Sequence, residues 1–159
     1  MINIKLCDSI CLKRLRYFPY SKKDDKNYRY YVYIGLGSNI NEEKTIKLFM
    51  KKALFDKRFK ILQTSPILIN KAFGYIDQKD FHNALLLVKT SKSAKELLKI
   101  LLHYESILKR KRSFKNAPRT LDLDILYYGD LKIKDKKLVL PHYGAGVRES
   151  VFVPLGLMI

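Results

Sequence analysis

The segment RTLDLDILYYG, at residues 119–129, constrains the fold more than any other part of this 159-residue chain. Apolar residues alternate with the carboxylates of Asp122 and Asp124, and this period of two is typical of a β-strand with one buried face. Because side chains on a strand alternate between its faces, both carboxylates lie on one face and the leucines beside them lie on the other. The segment therefore predicts a sheet that is covered on one face and carries two acids on the opposite face.

The remaining elements give this strand a sheet and a set of covering helices. Strands are predicted at 31–36, 59–69 and 81–88, where β-branched and aromatic residues are frequent. Apolar residues at helical spacing follow Asn41 and Ser93, which are both suitable N-cap residues. The order βαββαβ predicts an α+β fold, in which helices pack on one face of an antiparallel sheet.

A separate N-terminal segment is predicted from composition. Residues 1–28 are rich in Lys and Arg, and the polar stretch SKKDDKN at 21–27 is typical of a loop or linker. The length of the whole chain suits a single core. We therefore expect an N-terminal extension over residues 1–28 and one folded domain over residues 29–159.

The charge of the chain indicates an anionic partner. Lys and Arg number 32 against 15 Asp and Glu, which gives a formal net charge of +17. Such an excess favours nucleic acid or a phosphate-rich small molecule. No apolar run approaches the roughly 18 residues of a membrane span, and the N-terminus does not have the pattern of a signal peptide. Since Cys7 and Cys11 are the only cysteines, a disulfide framework is not predicted and we expect a cytoplasmic protein.

Asp122 and Asp124 suit a magnesium ion. The Cα atoms of residues i and i+2 on a strand lie about 6.5 Å apart, so the two carboxylates can share divalent ions. Mg²⁺ prefers oxygen ligands and is usually held by one or two carboxylates together with substrate phosphates. The alternative is that both acids form ion pairs with Arg and Lys on an exposed face of the sheet, and the D-x-D pattern alone does not decide between them.

The loop KRKRSFKNAPR, at residues 109–119, complements the two acids. Six of its eleven residues are Lys or Arg, and the forked guanidinium of Arg matches phosphate oxygens. A cationic loop beside a D-x-D strand suits Mg²⁺-nucleotide, because the acids hold the metal and the bases hold the phosphates. An RNA-binding surface gains nothing from the acids, since they repel the phosphate backbone. A solvated basic turn is the alternative.

Three further patterns carry weaker signals. His142 and Tyr143 lie in a loop, where a His can donate to phosphate or transfer a proton, although it is more often a surface group. Phe81 and Asn83 share a strand face and can hold a flat heterocycle, although such pairs are more often ordinary packing. The glycines of GLGSN at 35–39 do not match a dinucleotide fingerprint, and we interpret them as the freedom needed for a sharp turn from strand to helix.

The ordered set of motifs resembles one enzyme family. In sequence order the motifs are YIGLGSN near the first strand, F-x-N in the third strand, E-x4-R-x-R from Glu105, PRTLDLDILYYG, and LPHY-x4-R. Together they resemble the hydroxymethyl-dihydropterin pyrophosphokinases of the folate pathway, from about residue 30 onward. The combination of PRTLDLDIL with a later PHY is the most specific part of the resemblance.

The resemblance implies a fold and a reaction. The family has a ferredoxin-like α+β fold and transfers pyrophosphate from ATP to the hydroxymethyl group of 6-hydroxymethyl-7,8-dihydropterin, with release of AMP. The resemblance implies two Mg²⁺ ions, which Asp122 and Asp124 hold together with ATP. It implies no nucleic-acid partner and no membrane partner.

The resemblance also implies roles for individual residues. The positions that match ATP-binding positions are Arg110, Arg112, Arg119, Ile125, His142, Tyr143 and Arg148. The residues expected to be catalytic are Arg110, Arg112, Arg119 and Asp124. The positions that match pterin-binding positions are Phe81, Asn83, Asn70 and Phe73.

The chain departs from the family pattern at several positions. Ser150 stands where the family often has a second pterin-stacking Phe, and Phe152 is a candidate substitute. We also hypothesise that residues 1–28 cover a surface that a longer C-terminal tail covers in relatives. Two alternatives stay open. One is a basic, sheet-based RNA-binding domain, which needs no pair of acids, and the other is a different Mg²⁺-nucleotide phosphotransferase, which needs no F-x-N strand.

Overall fold

The structure of the chain is a computed structural model that describes residues 3–7, 10–111, 114 and 116–158. Within these residues the strands are β1 (Asn3–Cys7), β2 (Ile10–Lys13), β3 (Tyr20–Ser21), β4 (Tyr30–Ser38), β5 (Phe59–Thr64), β6 (Ile67–Asn70), β7 (Phe81–Thr90), β8 (Asp122–Tyr128), β9 (Ile133–Asp135) and β10 (Leu138–Leu140). The helices are α1 (Glu42–Ala53), α2 (Ala94–Ile107) and α3 (Glu149–Gly156).

The centre of the sheet has the strand order of a ferredoxin-like fold. β4 pairs antiparallel with β7 on one side and with β8 on the other. β5 and β6 both pair antiparallel with β7, near opposite ends of that strand. The predicted α+β fold with an antiparallel sheet is therefore confirmed.

The segment predicted as one strand over residues 59–69 is two strands. It is interrupted at Ser65 and Pro66, and proline has no N–H to donate to a neighbouring strand. The Ser65 hydroxyl accepts a hydrogen bond from the Leu85 N–H at 3.0 Å, which satisfies a donor of β7 at the break. The prediction of one continuous strand is wrong because Pro66 interrupts the ladder.

The helices divide between the two faces of the sheet. α1 and α2 cover one face, where Phe49 and Leu97 belong to the main hydrophobic core. α3 lies on the opposite face, where its Val151 packs with Leu85 of β7 and Leu126 of β8. The expected packing of helices on one face thus describes α1 and α2, and α3 adds a cover on the other face. Within the described residues, no helix has the length and apolar character that a membrane crossing requires.

The two predicted helix caps differ in the structure. Ser93 forms a capping box, in which its Oγ accepts from the Glu96 N–H at 3.4 Å and the Glu96 carboxylate accepts from the Ser93 N–H at 2.9 Å. Asn41 occupies the N-cap of α1, but its side chain makes no capping hydrogen bond and its φ is 50°. Asn tolerates this left-handed conformation better than most residues, so Asn41 shapes the turn instead of capping the helix with its side chain.

The N-terminal region adds strands to the same sheet. β1 pairs with β2, β2 pairs with β6, and β3 pairs with β5, all antiparallel. Phe18, between β2 and β3, is fully buried in the main hydrophobic core. Leu12 of β2 and Leu157 near the end of α3 line one cavity of about 480 Å³, so this region lies beside the C-terminal helix. The domain boundary at residue 28 and the covering role of residues 1–28 stay predictions.

We expect Phe18→Ala to lower the free energy of unfolding by about 3–5 kcal/mol, because it removes a buried ring and leaves a cavity. The control is Phe55→Ala, since Phe55 is 83% exposed. Its truncation is expected to change stability by less than about 0.5 kcal/mol. Urea unfolding followed by circular dichroism measures both values. Equal stability of the two variants would contradict a core role for the N-terminal region.

Candidate functional site

A cleft of about 470 Å³ opens on the sheet face opposite α1 and α2. Its floor is formed by β4, β7 and β8, and α3 and the loop before it form part of its wall. The predicted site residues that line it are Asn70, Phe73, Phe81, Asn83, Arg119, Asp122, Asp124, His142, Tyr143 and Arg148. The fold therefore brings the predicted nucleotide-binding and pterin-binding side chains into one cavity.

Three other residues singled out from the sequence do not line the cleft. Arg110 does not line the cleft, but its guanidinium contacts Asp122. The Ile125 side chain is 2% exposed and packs in the main core, on the sheet face that α1 and α2 cover. Phe152, the candidate second stacking residue, is 53% exposed and does not line the cleft. Arg112 lies outside the described residues.

Two glycines of β4 form the middle of the cleft floor. Gly35 pairs with Asp124 and Gly37 pairs with Asp122, while Asn83 of β7 flanks Gly37 on its other side. A Cβ atom on Gly37 would lie 3.1 Å from the Asn83 Oδ1, which is tighter than an ordinary contact. The interpretation of these glycines as turn residues is wrong, because they lie inside β4 and keep the space between Asp122 and Asn83 free of side chains.

Two arginines hold Asp122. Arg110 Nη1 lies 2.5 Å from its Oδ1, and Arg119 Nη1 lies 2.6 Å from its Oδ2. Arg110 also forms an ion pair with the buried carboxylate of Glu105. Glu105 in turn accepts a hydrogen bond from the Leu123 N–H at 2.9 Å, which ties it to β8. These contacts place two forked cations beside the acid pair, and preorganised donors of this kind favour anion binding.

The surroundings of Asp124 disfavour the ionised form of its carboxyl. Burial raises the pKa of Asp124 and the negative charge of Asp122 raises it further, while His142, Arg110 and Arg148 lower it less. In the described part of the chain, no group of three His, Cys, Asp or Glu side chains forms a complete metal site. A cation held by Asp122 and Asp124 therefore needs further ligands from substrate or water, which is the usual situation for Mg²⁺ bound with phosphates.

His142 is held in one tautomer. Its backbone N–H donates to the Leu126 carbonyl at 2.9 Å, and the Gly144 N–H donates to its Nδ1 at 3.1 Å. Because Nδ1 accepts a hydrogen bond, the proton of the neutral ring is on Nε2. Burial lowers the pKa of His142, and the negative charge of Asp124 opposes this shift only in part. The ring is therefore neutral near pH 7 and offers Nε2 as a donor.

Among the described residues, aromatic rings hold Arg148 and no carboxylate forms an ion pair with it. Its guanidinium carbon lies 4.9 Å from the centre of the Tyr143 ring and 5.1 Å from the centre of the Phe73 ring. Arg148 Nη2 also donates to the Tyr143 hydroxyl at 3.1 Å. Cation–π contacts orient a guanidinium without neutralising its charge, so Arg148 can still bind an anion in the cleft.

A chain of three polar side chains lies on the Asn83 side of the cleft. Asn83 Nδ2 donates to Asn70 Oδ1 at 2.8 Å, and Asn70 Nδ2 donates to Glu149 Oε2 at 3.3 Å. Beside this chain lies the Phe81 ring, with the Arg119 guanidinium 5.5 Å from its centre. Sequence reasoning missed Glu149. No local pattern indicates it, because it is 79 residues away from Asn70 in the chain.

Asn39 connects the segments around the cleft. This buried side chain accepts a hydrogen bond from the Arg119 N–H at 2.8 Å and donates to Gln78 Oε1 at 2.8 Å. Gln78 Nε2 donates in turn to the Asn116 carbonyl at 3.0 Å. Sequence reasoning also missed Asn39. A signal was present, because Asn39 ends the GLGSN motif, but the motif does not indicate its distant partners.

Comparison with known sequences agrees with this site. The sequence model of the 7,8-dihydro-6-hydroxymethylpterin-pyrophosphokinase family matches residues 33–158. The chain belongs to this family. The matched region contains every residue that lines the cleft, from Gly35 to Val151. The resemblance found in the sequence and the expectation of an enzyme are therefore confirmed.

Three pyrophosphokinases illustrate how far known relatives align with this chain. A 2-amino-4-hydroxy-6-hydroxymethyldihydropteridine pyrophosphokinase of Campylobacter jejuni is 50% identical over 147 residues, which cover 92% of this chain and 94% of the relative. The protein of the same name from Helicobacter pylori is 40% identical over 146 residues, or 89% of each chain. A Haemophilus influenzae protein of this name is 37% identical over 124 residues, or 77% of this chain and 78% of its own. The two longer matches necessarily include part of residues 1–28.

We expect Asp124→Asn to stabilise the ligand-free protein at neutral pH. The raised pKa means that the folded state holds the Asp124 proton more tightly than the unfolded state does, so ionisation of this carboxyl disfavours folding. The stability advantage of the variant should appear as the pH rises above about 4, the ordinary pKa of Asp. It should disappear in more acidic solution, where both side chains are neutral. Thermal unfolding between pH 3 and pH 8 measures the difference.

The control for this prediction is Asp135→Asn. A hydrogen bond from Lys95 lowers the pKa of Asp135, so its carboxylate stabilises the folded state and the substitution should have the opposite sign at neutral pH. If both variants are destabilised to the same degree at pH 7, the account of Asp124 is wrong.

Proposed function

We propose that this chain transfers pyrophosphate from ATP to the hydroxymethyl group of 6-hydroxymethyl-7,8-dihydropterin and releases AMP. The observation that carries the proposal is the row across the cleft floor in which Gly37 separates Asp122 from Asn83. Neighbouring strands lie about 4.8 Å apart, so an acid suited to a metal–nucleotide and an amide suited to a heterocycle face the same small space. Holding two reactants together is the main requirement of such a transfer.

Asp122 and Asp124 are suited to hold Mg²⁺ together with ATP. Both carboxylates line the cleft from one face of β8, and burial together with the negative charge of Asp122 raises the pKa of Asp124. A cation bound between the two acids would offset both effects. Bound Mg²⁺ neutralises phosphate oxygens and so makes the phosphorus easier to attack. We propose two ions, with the remaining ligands supplied by ATP phosphates and water.

Arg110, Arg119 and Arg148 are the proposed phosphate ligands. The first two now pair with Asp122, and their forked donors match phosphate oxygens equally well, so ATP can replace Asp122 as their partner. The Nε2 of His142 adds a neutral donor near the same acids. The other proposed ATP contacts are Arg112, Tyr143 and the backbone of Ile125.

Phe81, Asn83, Asn70 and Phe73 are the proposed pterin contacts. The Phe81 ring offers a plane for stacking, and the Asn83 Oδ1 offers an acceptor for the edge of the heterocycle. Ser150 lines the cleft and has no ring, so we propose that this protein stacks the pterin mainly on one face.

In the proposed reaction the hydroxymethyl oxygen attacks the β-phosphorus of ATP, and the bond between that phosphorus and the AMP oxygen breaks. The hydroxyl proton passes to solvent, and negative charge grows on the departing AMP phosphate. Arg110 and Arg119 offset this charge, which is the main contribution that protein groups make to phosphoryl-type transfer.

The same sheet face is poorly suited to RNA. Asp122 and Asp124 line its cleft and α3 packs on part of it, so a phosphate backbone meets both negative charge and steric cover. We therefore propose small-molecule substrates only, and we place the reaction in the cytoplasm.

The function predicts AMP release that requires both substrates. Chromatography measures nucleotides after the purified protein is incubated with Mg²⁺ and ATP, with or without 6-hydroxymethyl-7,8-dihydropterin. We expect AMP only in the complete mixture, and no AMP above background with Asp124→Asn. Release of ADP in place of AMP would favour another phosphotransferase. Tight RNA binding without pterin-dependent AMP release would favour the RNA-binding alternative.

We expect Arg110→Ala to lower kcat by about 10²–10³-fold, because it removes a cation that stabilises developing phosphate charge. The KM for ATP should change much less, since this contact strengthens in the transition state. Steady-state kinetics separate the two effects. The control is Arg58→Ala, which removes an arginine paired with Asp56 outside the cleft and should leave both constants near wild type. A rise in KM at constant kcat would contradict the proposed role of Arg110.

A further inference from the structure

Glu149 lines the cleft but has no part in the reaction described above. It lies in the first turn of α3, and its Oε2 accepts a hydrogen bond from Asn70 Nδ2 at 3.3 Å. Asn70 is buried, and its Oδ1 accepts a hydrogen bond from Asn83 Nδ2 at 2.8 Å. One carboxylate thus stands at the end of a chain of two amides that leads to a proposed pterin contact.

The chemistry of the three groups favours one direction of these hydrogen bonds. An ionised carboxylate accepts hydrogen bonds and has no proton to donate, whereas an amide has one donor end and one acceptor end. Glu149 therefore attracts the Nδ2 end of Asn70, which leaves the Oδ1 end of Asn70 to accept from Asn83. If the hydrogen bonds ran the other way, the Asn70 oxygen would face the Glu149 carboxylate. Both groups are acceptors and no proton would lie between them, which is costly in a partly buried site.

This direction determines which atom of Asn83 is available to a ligand. With Nδ2 turned to Asn70, the Oδ1 of Asn83 lies beside the bare backbone of Gly37, where a Cβ atom would come within 3.1 Å of it. The residue itself lines the cleft. The floor of the cleft therefore presents a hydrogen-bond acceptor at this point, and Gly37 provides the space for a ligand group to reach it.

We propose that Glu149 is a positioning residue that fixes the Asn83 oxygen toward the ligand and so selects a heterocycle with an N–H donor at this point. The inference rests on the proposed function, in which the donor is the 2-amino group of the pterin. An analogue with oxygen in place of this amino group brings two acceptors together and is disfavoured, since sites built around a hydrogen bond discriminate strongly against a mismatched group.

The test begins with Glu149→Gln. An amide at position 149 can either accept or donate, so the hydrogen bonds that connect residues 149, 70 and 83 can run in both directions. We expect 6-hydroxymethyl-7,8-dihydropterin to bind about twofold more weakly, since about half of the molecules present the Asn83 oxygen. The 2-oxo analogue should bind roughly tenfold more tightly than it binds to wild type, because the reversed hydrogen bonds no longer place the Asn70 oxygen against a carboxylate. Calorimetric titration with Mg²⁺ and a non-cleavable ATP analogue measures both dissociation constants.

A second variant separates this role from simple structural support. In Asn70→Asp/Glu149→Gln the net charge is unchanged, and the carboxylate moves from position 149 to position 70. The amide at position 149 then donates to the carboxylate at position 70, whose other oxygen accepts from Asn83 Nδ2. The original direction is restored, so we expect the wild-type preference for the pterin over the 2-oxo analogue to return.

The matched control is Glu42→Gln, which also removes an acid from the first turn of a helix but lies in α1. It should leave both dissociation constants unchanged. An unaltered preference in Glu149→Gln, or no recovery in the double variant, overturns the role of Glu149 while the proposed function stands. If Glu149→Gln does not fold, the double variant decides alone by whether it keeps the preference. A wild-type protein that neither binds the pterin nor releases AMP overturns both proposals.

Discussion

The pairing of β4 between β7 and β8 is the constraint on which the rest of the site depends. It sets Asn83, Gly37 and Asp122 in one row across three strands. A slip of one residue in either pairing would move an entire set of side chains to the opposite face. The main core opposes such a slip, because Ile34 and Leu123 on the same strands are buried beneath α1 and α2. The hydrophobic packing on one face therefore fixes the polar geometry on the other.

Two carboxyl groups of the cleft, Asp122 and Asp124, are compensated by positive charge to different degrees. Arg110 and Arg119 together compensate Asp122, whereas burial and the neighbouring charge raise the pKa of Asp124. A carboxyl of this kind makes the folded state less stable than a neutral side chain would, and functional sites commonly carry such a cost. In the proposed function a cation would pair with the two acids, and the arginines would then be free to bind phosphate oxygens.

The sequence predicted the parts of the fold that arise from local patterns. The period of two around Asp122 and Asp124 identified a strand and the face that both acids share, and spacing together with Ser93 identified α2 and its start. Prediction failed where a single residue changes the geometry. Pro66 divides one expected strand in two, and Asn41 adopts a left-handed turn that no capping rule anticipates. The turn predicted at the glycines of GLGSN is wrong because glycine has several structural roles. The neighbours of these glycines on adjacent strands decide which role applies.

The sequence by itself determined the family, the α+β fold and ten of the residues that line the cleft, because motifs and periodicity are recorded along the chain. Only the tertiary structure decided how these side chains act on one another. It set Gly37 between an acid and an amide, joined Asn39 to Arg119, and aligned Glu149 with Asn70 and Asn83. These contacts join residues far apart in the chain, and hydrogen bonds depend on distances and directions that only the folded backbone fixes.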